Sequence, residues 1–167
     1  MYRTKNTLSE NIRAKSIAVL NAHLAAAIDL HGQIKQAHWN VRGDGFIAIH
    51  ELFDKVAAET IDFYDTIAER VGALGGTAEG TSQTAVKKSF LKPYAHGIAD
   101  VKTHIEAVTS ALSDFGTSAR KAIDETADFG DADTADLFTG ISRGVDQQIW
   151  LIESHLVPSP AKGGARK

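Results

Sequence analysis

The feature that most constrains the fold is the spacing of apolar residues, which recur every three, four or seven positions along four long segments. This spacing places them on one face of a helix, and no segment shows the alternation of a strand. Four amphipathic helices predict an all-α four-helix bundle. The four apolar stripes are, in order, Ile12, Leu20, Leu24, Ile28 and Ile34; Ile49, Phe53, Val56, Phe63, Ile67 and Leu74; Ile98, Val101, Ile105, Val108, Leu112, Phe115 and Ile123; and Leu137, Ile141, Val145, Ile149, Ile152 and Leu156.

Capping and breaking residues predict where these helices begin and end. Thr7 and Glu10 form a capping-box pattern, so the first helix is expected to start there and to run to about Trp39. The second begins near Phe46 and stops at the glycine pair 75–76. The polar connector 77–93 is long enough to return the chain to the other end of the bundle, with a short helical turn at 82–88.

The length of 167 residues and the apolar content of 43% suit one domain, which we place at residues 1–157. Residues 158–167 are rich in Pro and Gly and carry a basic excess, which predicts a flexible tail. No apolar run is long enough to span a bilayer, and no signal-peptide pattern is present, so we expect no membrane contact and a cytoplasmic location.

Cysteine is absent and Met1 is the only methionine. This excludes disulfides, thiolate metal sites and cysteine nucleophiles, and it leaves few side chains that peroxide readily oxidises. The formal net charge of −3 gives no indication of nucleic-acid binding by the body of the protein.

Two pairs of potential metal ligands lie on the second predicted helix. His50 and Asp54 are four residues apart, and so are Asp65 and Glu69, so each pair projects from one helix face. An offset of 15 residues between the pairs corresponds to roughly 22 Å of helix rise, with a difference in direction of about 60°. The pairs therefore cannot share a metal within one chain, but two copies crossing antiparallel near Glu59 would bring each pair opposite the other.

His38 ends the first predicted helix and can fold back towards His50 across a glycine-containing turn. Two imidazoles and three carboxylates form a ligand set suited to Fe(II) rather than to a closed zinc site. Each observation taken singly has an ordinary alternative, because such pairs recur by chance on solvated helices and a histidine often ends a helix.

Three segments carry a family resemblance: residues 35–40 (KQAHWN), 46–51 (FIAIHE) and 65–70 (DTIAER) resemble the signature of the Dps family of miniferritins. The similarity extends from about Leu8 to Leu156. It implies a ferritin-like bundle in a dodecameric shell, with ferroxidase centres at two-fold interfaces, Fe(II)/Fe(III) as the metal and hydrogen peroxide as the oxidant. The ligands would be His38, His50 and Asp54 of one subunit with Asp65 and Glu69 of its partner. The chain lacks the Glu-x-x-His motifs of larger ferritins.

The resemblance also implies functional roles for residues outside the ligand set, and for these residues an ordinary structural role is the alternative. Trp39 either quenches radicals or packs at the dimer interface, and Tyr64 is a weaker candidate for the same role. The acidic stretch between the third and fourth helices resembles the lining of three-fold iron pores, whereas the alternative is a solvated turn capped by Asp133 or Thr134. The pore candidates are Asp131, Asp133 and Asp136; Glu51 and Asp62 are candidate ligands for stored iron; and His23, His31, His96, His104 and His155 are interpreted as surface or packing residues.

The expected function is a miniferritin ferroxidase that oxidises Fe(II), stores ferric iron and protects DNA and cell from oxidative damage. The alternative is a nucleoid-associated protein that compacts DNA, with iron chemistry secondary. Non-specific DNA binding would use the terminal tails, whose cations are Arg3, Lys5, Lys162, Arg166 and Lys167. A third possibility is a structural bundle in which the ligand pairs are fortuitous.

Overall fold

A computed structural model describes residues 1–156, and it confirms the predicted all-α bundle. Among these residues the only β feature is an isolated bridge between Arg42 and Asp100. The helices are α1 (Glu10–Asn40), α2 (Phe46–Ala73), α3 (Ser82–Lys88), α4 (Val101–Phe129) and α5 (Ala132–Glu153), followed by a 3-10 turn at Ser154–Leu156.

The four long helices form two hairpins that pack on each other. α1 packs along α2 and α4 along α5, with further contacts between α1 and α4 and between α2 and α5. α3 matches the short helix predicted in the connector, and it packs against α1. The connector brings the chain back to the α1–α2 corner, where the Arg42 amide donates to the Ala99 carbonyl at 2.7 Å.

The predicted apolar stripes meet in one core. Phe53, Phe115 and Phe138 are fully buried, each from a different long helix, together with leucines and isoleucines of all four. Burial of one such side chain stabilises the fold by about 1.5–3 kcal/mol, so the shared core holds the hairpins together.

The start of α1 differs from the prediction. The N-cap is Ser9, whose hydroxyl accepts from the Ile12 amide, and the expected capping box of Thr7 and Glu10 is wrong. The reason lies in the preceding residues: the side chain of Asn6 accepts from the Leu8 amide and holds the chain in a turn before the helix begins.

The junction of α4 and α5 is shorter than expected. The acidic stretch expected between these helices also included Asp124, Glu125 and Asp128, but α4 continues to Phe129 and these three residues lie inside it. α5 begins at Ala132 with Asp131 as its N-cap, which corrects the expected cap at Asp133 or Thr134. Gly130 makes the tight junction possible because its φ of 86° suits a residue without a side chain.

The N-terminal segment lies against the end of α2. The Tyr2 amide donates to the Gly75 carbonyl at 2.7 Å, and Arg13 donates to the Leu74 carbonyl at 2.9 Å. A Cβ on Gly75, which has a φ of +80°, would approach the Tyr2 carbonyl oxygen to 2.8 Å. The arm that carries Arg3 and Lys5 is therefore tied to its own chain. The predicted tail, residues 158–167, lies outside the described residues.

None of the helices in residues 1–156 combines the length and the hydropathy needed to cross a membrane.

Candidate metal centre

Two predicted ligands, His38 and His50, meet face to face at the α1–α2 corner. Their ring centroids are 3.8 Å apart with an interplanar angle of 20°. Nδ1 of His38 lies 2.8 Å from the His50 carbonyl oxygen, and Nδ1 of His50 lies 2.9 Å from the His38 carbonyl oxygen. Because a carbonyl oxygen can only accept, the neutral form of each ring carries its proton on Nδ1 and has its lone pair on Nε2. Two imidazoles are thus held in the tautomer that binds metal through Nε2.

The local sequence explains this arrangement. His38 lies in the last turn of α1 and His50 in the second turn of α2, and the five residues between the helices reverse the chain. Gly43 and Gly45 have φ values of 113° and 75°, which other residues rarely adopt. The tight reversal brings each histidine close to the backbone of the other.

Asp54 lies one turn beyond His50 and close to His38. Its Oδ1 is 3.9 Å from Nε2 of His38, and its side chain is 58% exposed. The same oxygen accepts from the Lys35 ammonium, a partner that the sequence analysis did not predict. The hydrogen bond from Lys35 is the main reason that the pKa of Asp54 is lowered, which keeps the carboxylate ionised. The available signal was spacing, because Lys35 precedes His38 by three residues on the same helix face.

Asp65 and Glu69 lie further along α2, and both are exposed. One chain does not bring all five predicted ligands together. Within residues 1–156 no three or more His, Asp or Glu side chains are grouped so that they could hold a metal ion. The two-chain site therefore stays a prediction.

A cleft of about 560 Å³ opens beside the histidines and is lined by Trp39, Arg42, Gly43, Phe46 and His50. Trp39 is 60% exposed, with the Lys35 ammonium 5.7 Å from its ring centroid. Tyr64 is partly buried against the core.

The three predicted pore residues have different environments. Asp131 is 1% exposed, which makes it unsuitable as a pore lining and corrects that prediction. Its carboxylate caps α5 and accepts from Arg70 at 2.7 Å. Burial by itself would raise its pKa, but hydrogen bonds from Thr134 and Arg70 outweigh it and lower the pKa. Asp133 and Asp136 are exposed beside a groove of about 430 Å³ between α2 and α5.

The five remaining histidines are surface or packing residues, as predicted. His23 and His104 are buried, His31 is half-buried, and His96 and His155 are exposed. In His23, Nδ1 contacts the Val19 carbonyl and Nε2 the Ser118 hydroxyl.

Comparisons with known proteins agree with this architecture. Residues 17–158 match the ferritin-like domain family. The chain is 42% identical to the DNA protection during starvation protein of Agrobacterium fabrum, over 93% of this chain and 96% of that relative. DpsC from Streptomyces coelicolor superposes with a TM-score of 0.88 at 31% identity, covering 96% of this chain and 92% of DpsC. The Dps of Microbacterium arborescens, solved in a high iron form, has a TM-score of 0.83 at 35% identity, covering 90% of this chain and 97% of that protein.

Proposed function

Because the chain belongs to the Dps family of ferritin-like proteins, we propose that it is a ferroxidase that oxidises Fe(II) with hydrogen peroxide and stores the ferric product inside a dodecameric shell. Iron in this proposal is substrate and cargo rather than a resident cofactor.

The observation that carries the proposal is the pair of histidines at the α1–α2 corner. Both Nδ1 atoms are occupied by backbone carbonyls, so both Nε2 lone pairs are available for a metal. Asp54 adds an ionised carboxylate next to His38. A structural bundle has no need to lock two adjacent imidazoles in this tautomer, and imidazole with carboxylate is a suitable ligand set for Fe(II).

A second copy of the chain would supply the missing carboxylates. In an isologous dimer with α2 crossing α2 near Glu59, Asp65 and Glu69 of the partner subunit face His38, His50 and Asp54. Each dimer then contains two identical sites.

The carboxylate ligands of the proposed site favour the oxidation of bound Fe(II). Anionic carboxylates stabilise Fe(III) more than Fe(II), so binding makes loss of an electron easier. Two ferrous ions at one site deliver two electrons to one peroxide, which with two protons yields two waters and releases no hydroxyl radical. Asp54 keeps its charge because Lys35 lowers its pKa, and Lys35 must move or share that oxygen when iron binds.

Iron uptake and storage extend the proposal to the acidic surface. Asp133 and Asp136 are exposed, and rings of such residues around three-fold axes would concentrate Fe(II). Glu51 and Asp62 are also exposed and are our candidates for binding ferric product. The cytoplasmic, nucleoid-associated location expected from the sequence belongs to the same proposal.

The test is anaerobic loading of the purified protein with Fe(II), followed by hydrogen peroxide. We expect about two Fe(II) oxidised per peroxide and no hydroxyl radical caught by a spin trap. His38→Ala should lower the initial rate by about 10- to 100-fold, because a ligand is lost, whereas the exposed control His96→Ala should not. A wild-type ratio near one, with abundant trapped radical, would contradict the proposal.

DNA protection is the second candidate, favoured by the name of the Agrobacterium relative. The ferroxidase proposal accounts for protection by removal of iron and peroxide. Direct DNA binding requires terminal cations, and in the described residues Arg3 and Lys5 lie on a segment tied to the end of α2.

A further inference from the structure

Asp65 and Glu69, the predicted ligands near the end of α2, have no side-chain partner that orients them. Both are exposed, and within residues 1–156 neither carboxylate takes part in a hydrogen bond or an ion pair. The other three predicted ligands each contact a fixed partner, either a backbone carbonyl or the Lys35 ammonium. The direction in which Asp65 and Glu69 point is therefore set by the position of the helix end that carries them.

Arg70, the residue after Glu69, ties this end of α2 to the start of α5. Its Nη2 donates to Oδ1 of Asp131 at 2.7 Å, and its Nε donates to the Thr134 hydroxyl at 3.0 Å. The same hydroxyl donates to Oδ2 of Asp131 at 2.6 Å, which closes a ring of three side chains. Because two nitrogens of one planar guanidinium are bound, both the position and the orientation of the group are fixed.

The connection is shielded from water. The Arg70 side chain is 15% exposed, and Asp131 and Thr134 are buried. Arg70 lies in the last turn of α2 and Asp131 is the N-cap of α5, so each charge lies at the helix end whose dipole it stabilises. Separating the two would leave a buried charge without a partner, which is costly. The pair therefore resists displacement of the end of α2 relative to α5.

Arg70 is close enough along the helix to set the direction of both carboxylates. Consecutive residues of an α-helix differ by about 100° in direction and 1.5 Å in height, so Arg70 fixes Glu69 directly. Asp65 lies one turn before Glu69 and projects from the same face. Groups that form a metal site must be held within about 0.5 Å and 10–20° of the productive geometry. A small rotation of this helix end would exceed that tolerance.

Two further ties act beyond the carboxylates rather than beside them. Arg13 donates to the Leu74 carbonyl at 2.9 Å, and the Tyr2 amide donates to the Gly75 carbonyl at 2.7 Å. Both acceptors follow the last residue of α2. Arg13 therefore provides a matched control, because it is also an arginine that holds this end of the chain.

We propose that Arg70, held by Asp131, is a positioning residue for the carboxylates that α2 presents to a second copy of the chain. It fixes the helix end so that Asp65 and Glu69 reach the metal centre of the neighbouring subunit. Arg70 itself contacts neither the metal nor peroxide. This inference rests on the proposed function, because only a site shared between two chains makes the end of α2 part of a metal centre.

The first experiment is amide hydrogen exchange of the metal-free protein, so that it does not depend on activity. Arg70→Lys keeps the charge but replaces the planar fork with a single ammonium. In this variant the amides of residues 66–70 should exchange about tenfold faster or more, whereas residues 50–57 of the same helix should exchange as in the wild type. Arg13→Lys should leave both groups of amides unchanged.

The second experiment is titration with Co(II), whose visible absorption reports the ligands around the metal without oxidation. Arg70→Lys and Asp131→Asn should bind Co(II) about tenfold more weakly or worse, since loss of a residue that orients ligands typically has this effect. Asparagine still caps a helix, so Asp131→Asn removes the charge and keeps the cap. Asp133→Asn is the control, because Asp133 also lies near Arg70, at 3.7 Å, but is exposed.

A further variant separates positioning from general stability. Val71→Ala shortens a fully buried side chain next to Arg70, so it should lower the melting temperature without touching the guanidinium. Its Co(II) affinity should stay within about twofold of the wild type. The double variant Arg70→Gln/Asp131→Asn removes both charges together, so no buried charge is left unpaired, and it should bind Co(II) as weakly as Arg70→Lys.

The outcomes distinguish this inference from the proposed function. Absence of Co(II) binding by the wild type, or binding that is unaffected by Asp54→Ala, would overturn the proposed function together with this inference. Binding that is lost in Asp54→Ala but is as tight in Arg70→Lys as in the wild type would overturn this inference alone. The same holds if Val71→Ala weakens binding as much as Arg70→Lys does, because the Arg70–Asp131 pair would then be structural only.

Discussion

At the scale of single residues, the histidines differ in how many of their two ring nitrogens already have a hydrogen-bond partner. In His38 and His50 one ring nitrogen is satisfied by a backbone carbonyl, and the other is left for chemistry. In the buried His23 both nitrogens have partners, Val19 and Ser118, and the ring packs against Phe138 at a centroid distance of 4.7 Å. His38 and His50 thus each have a ring nitrogen available for a metal, whereas both ring nitrogens of His23 are already occupied.

His23 predicts how acid affects stability. Burial is the largest influence and lowers its pKa in the folded state below 6.5. Between that lowered pKa and 6.5 the unfolded chain binds more protons, so the free energy of unfolding falls as pH decreases. The slope from one proton is at most about 1.4 kcal/mol per pH unit. Thermal unfolding at several pH values between 7 and 5 should show this loss.

The matched variants are His23→Gln and His96→Gln. His23→Gln should flatten the decline of melting temperature with acid, because a group that cannot titrate replaces a buried imidazole. The melting temperature of this variant should still fall somewhat as pH decreases, because burial also lowers the pKa values of His104 and His31. His96 is exposed, so its variant should follow the wild-type curve. An unchanged slope in His23→Gln would contradict the assignment.

At the scale of elements, the contact between α2 and α5 depends on a glycine. A Cβ built on Gly144 would lie 2.7 Å from Cζ of Phe63, whereas one on Gly140 meets nothing within 4 Å. Both positions are inside α5. Gly144→Ala should destabilise the protein by about 1–3 kcal/mol because the Phe63 ring must be displaced. Gly140→Ala should stabilise it by about 0.5–1 kcal/mol because alanine favours the helix.

Chemical denaturation of both glycine variants measures the difference. If Gly144→Ala were as stable as Gly140→Ala, the close approach of Phe63 to α5 would not be what requires a glycine at position 144.

A second feature at this scale is the connection between α2 and the start of α5. Arg70, the residue after the predicted ligand Glu69, donates to Asp131 and Thr134. The cap of α5 therefore also fixes the last turns of α2, where half of the predicted site lies.

At the scale of the whole molecule, the predicted site requires two chains, and mixing experiments test this directly. Asp54→Ala removes a ligand from one half-site, and Asp65→Ala with Glu69→Ala removes the other half. Each variant alone should lose rapid peroxide-driven oxidation, because every site lacks ligands. A dimer containing one chain of each kind has one intact site, so co-assembled variants should recover up to about half of the activity.

Native mass spectrometry of the co-refolded variants verifies that mixed dimers form. Mixed dimers with no recovered activity would rule out the two-chain site even if they still bound iron.

DNA binding is a second question for the assembled molecule. We expect weak, salt-sensitive binding that depends on residues 158–167, because repeated tails would make many weak phosphate contacts together. The net charge of −3 opposes binding by the rest of the chain. Gel shifts at low and high salt, with and without this segment, test the prediction. Binding that is unaffected by either change would contradict it.

Several of these features were accessible from the sequence. The apolar stripes predicted the four long helices, and the short α3 was predicted at the residues where it occurs. The separation of His50 and Asp54 from Asp65 and Glu69 also followed from helix geometry. These properties depend on a repeat of 3.6 residues per turn, which a short stretch of chain encodes by itself.

Other features were decided only by the tertiary structure. The orientation of His38 and His50, the partner of Asp54 and the burial of Asp131 depend on distances between groups on different helices. Asp131, Asp133 and Asp136 cannot be distinguished from the sequence. In the structure Arg70 lies near both Asp131, at 2.7 Å, and Asp133, at 3.7 Å, but only Asp131 is buried, and its close pairing with Arg70 compensates for that burial. Tyr94 and His104 are ordinary residues until the connector folds back and places them in contact. A periodic pattern specifies which face of a helix is buried, but the partner of each polar side chain is set by how the helices pack.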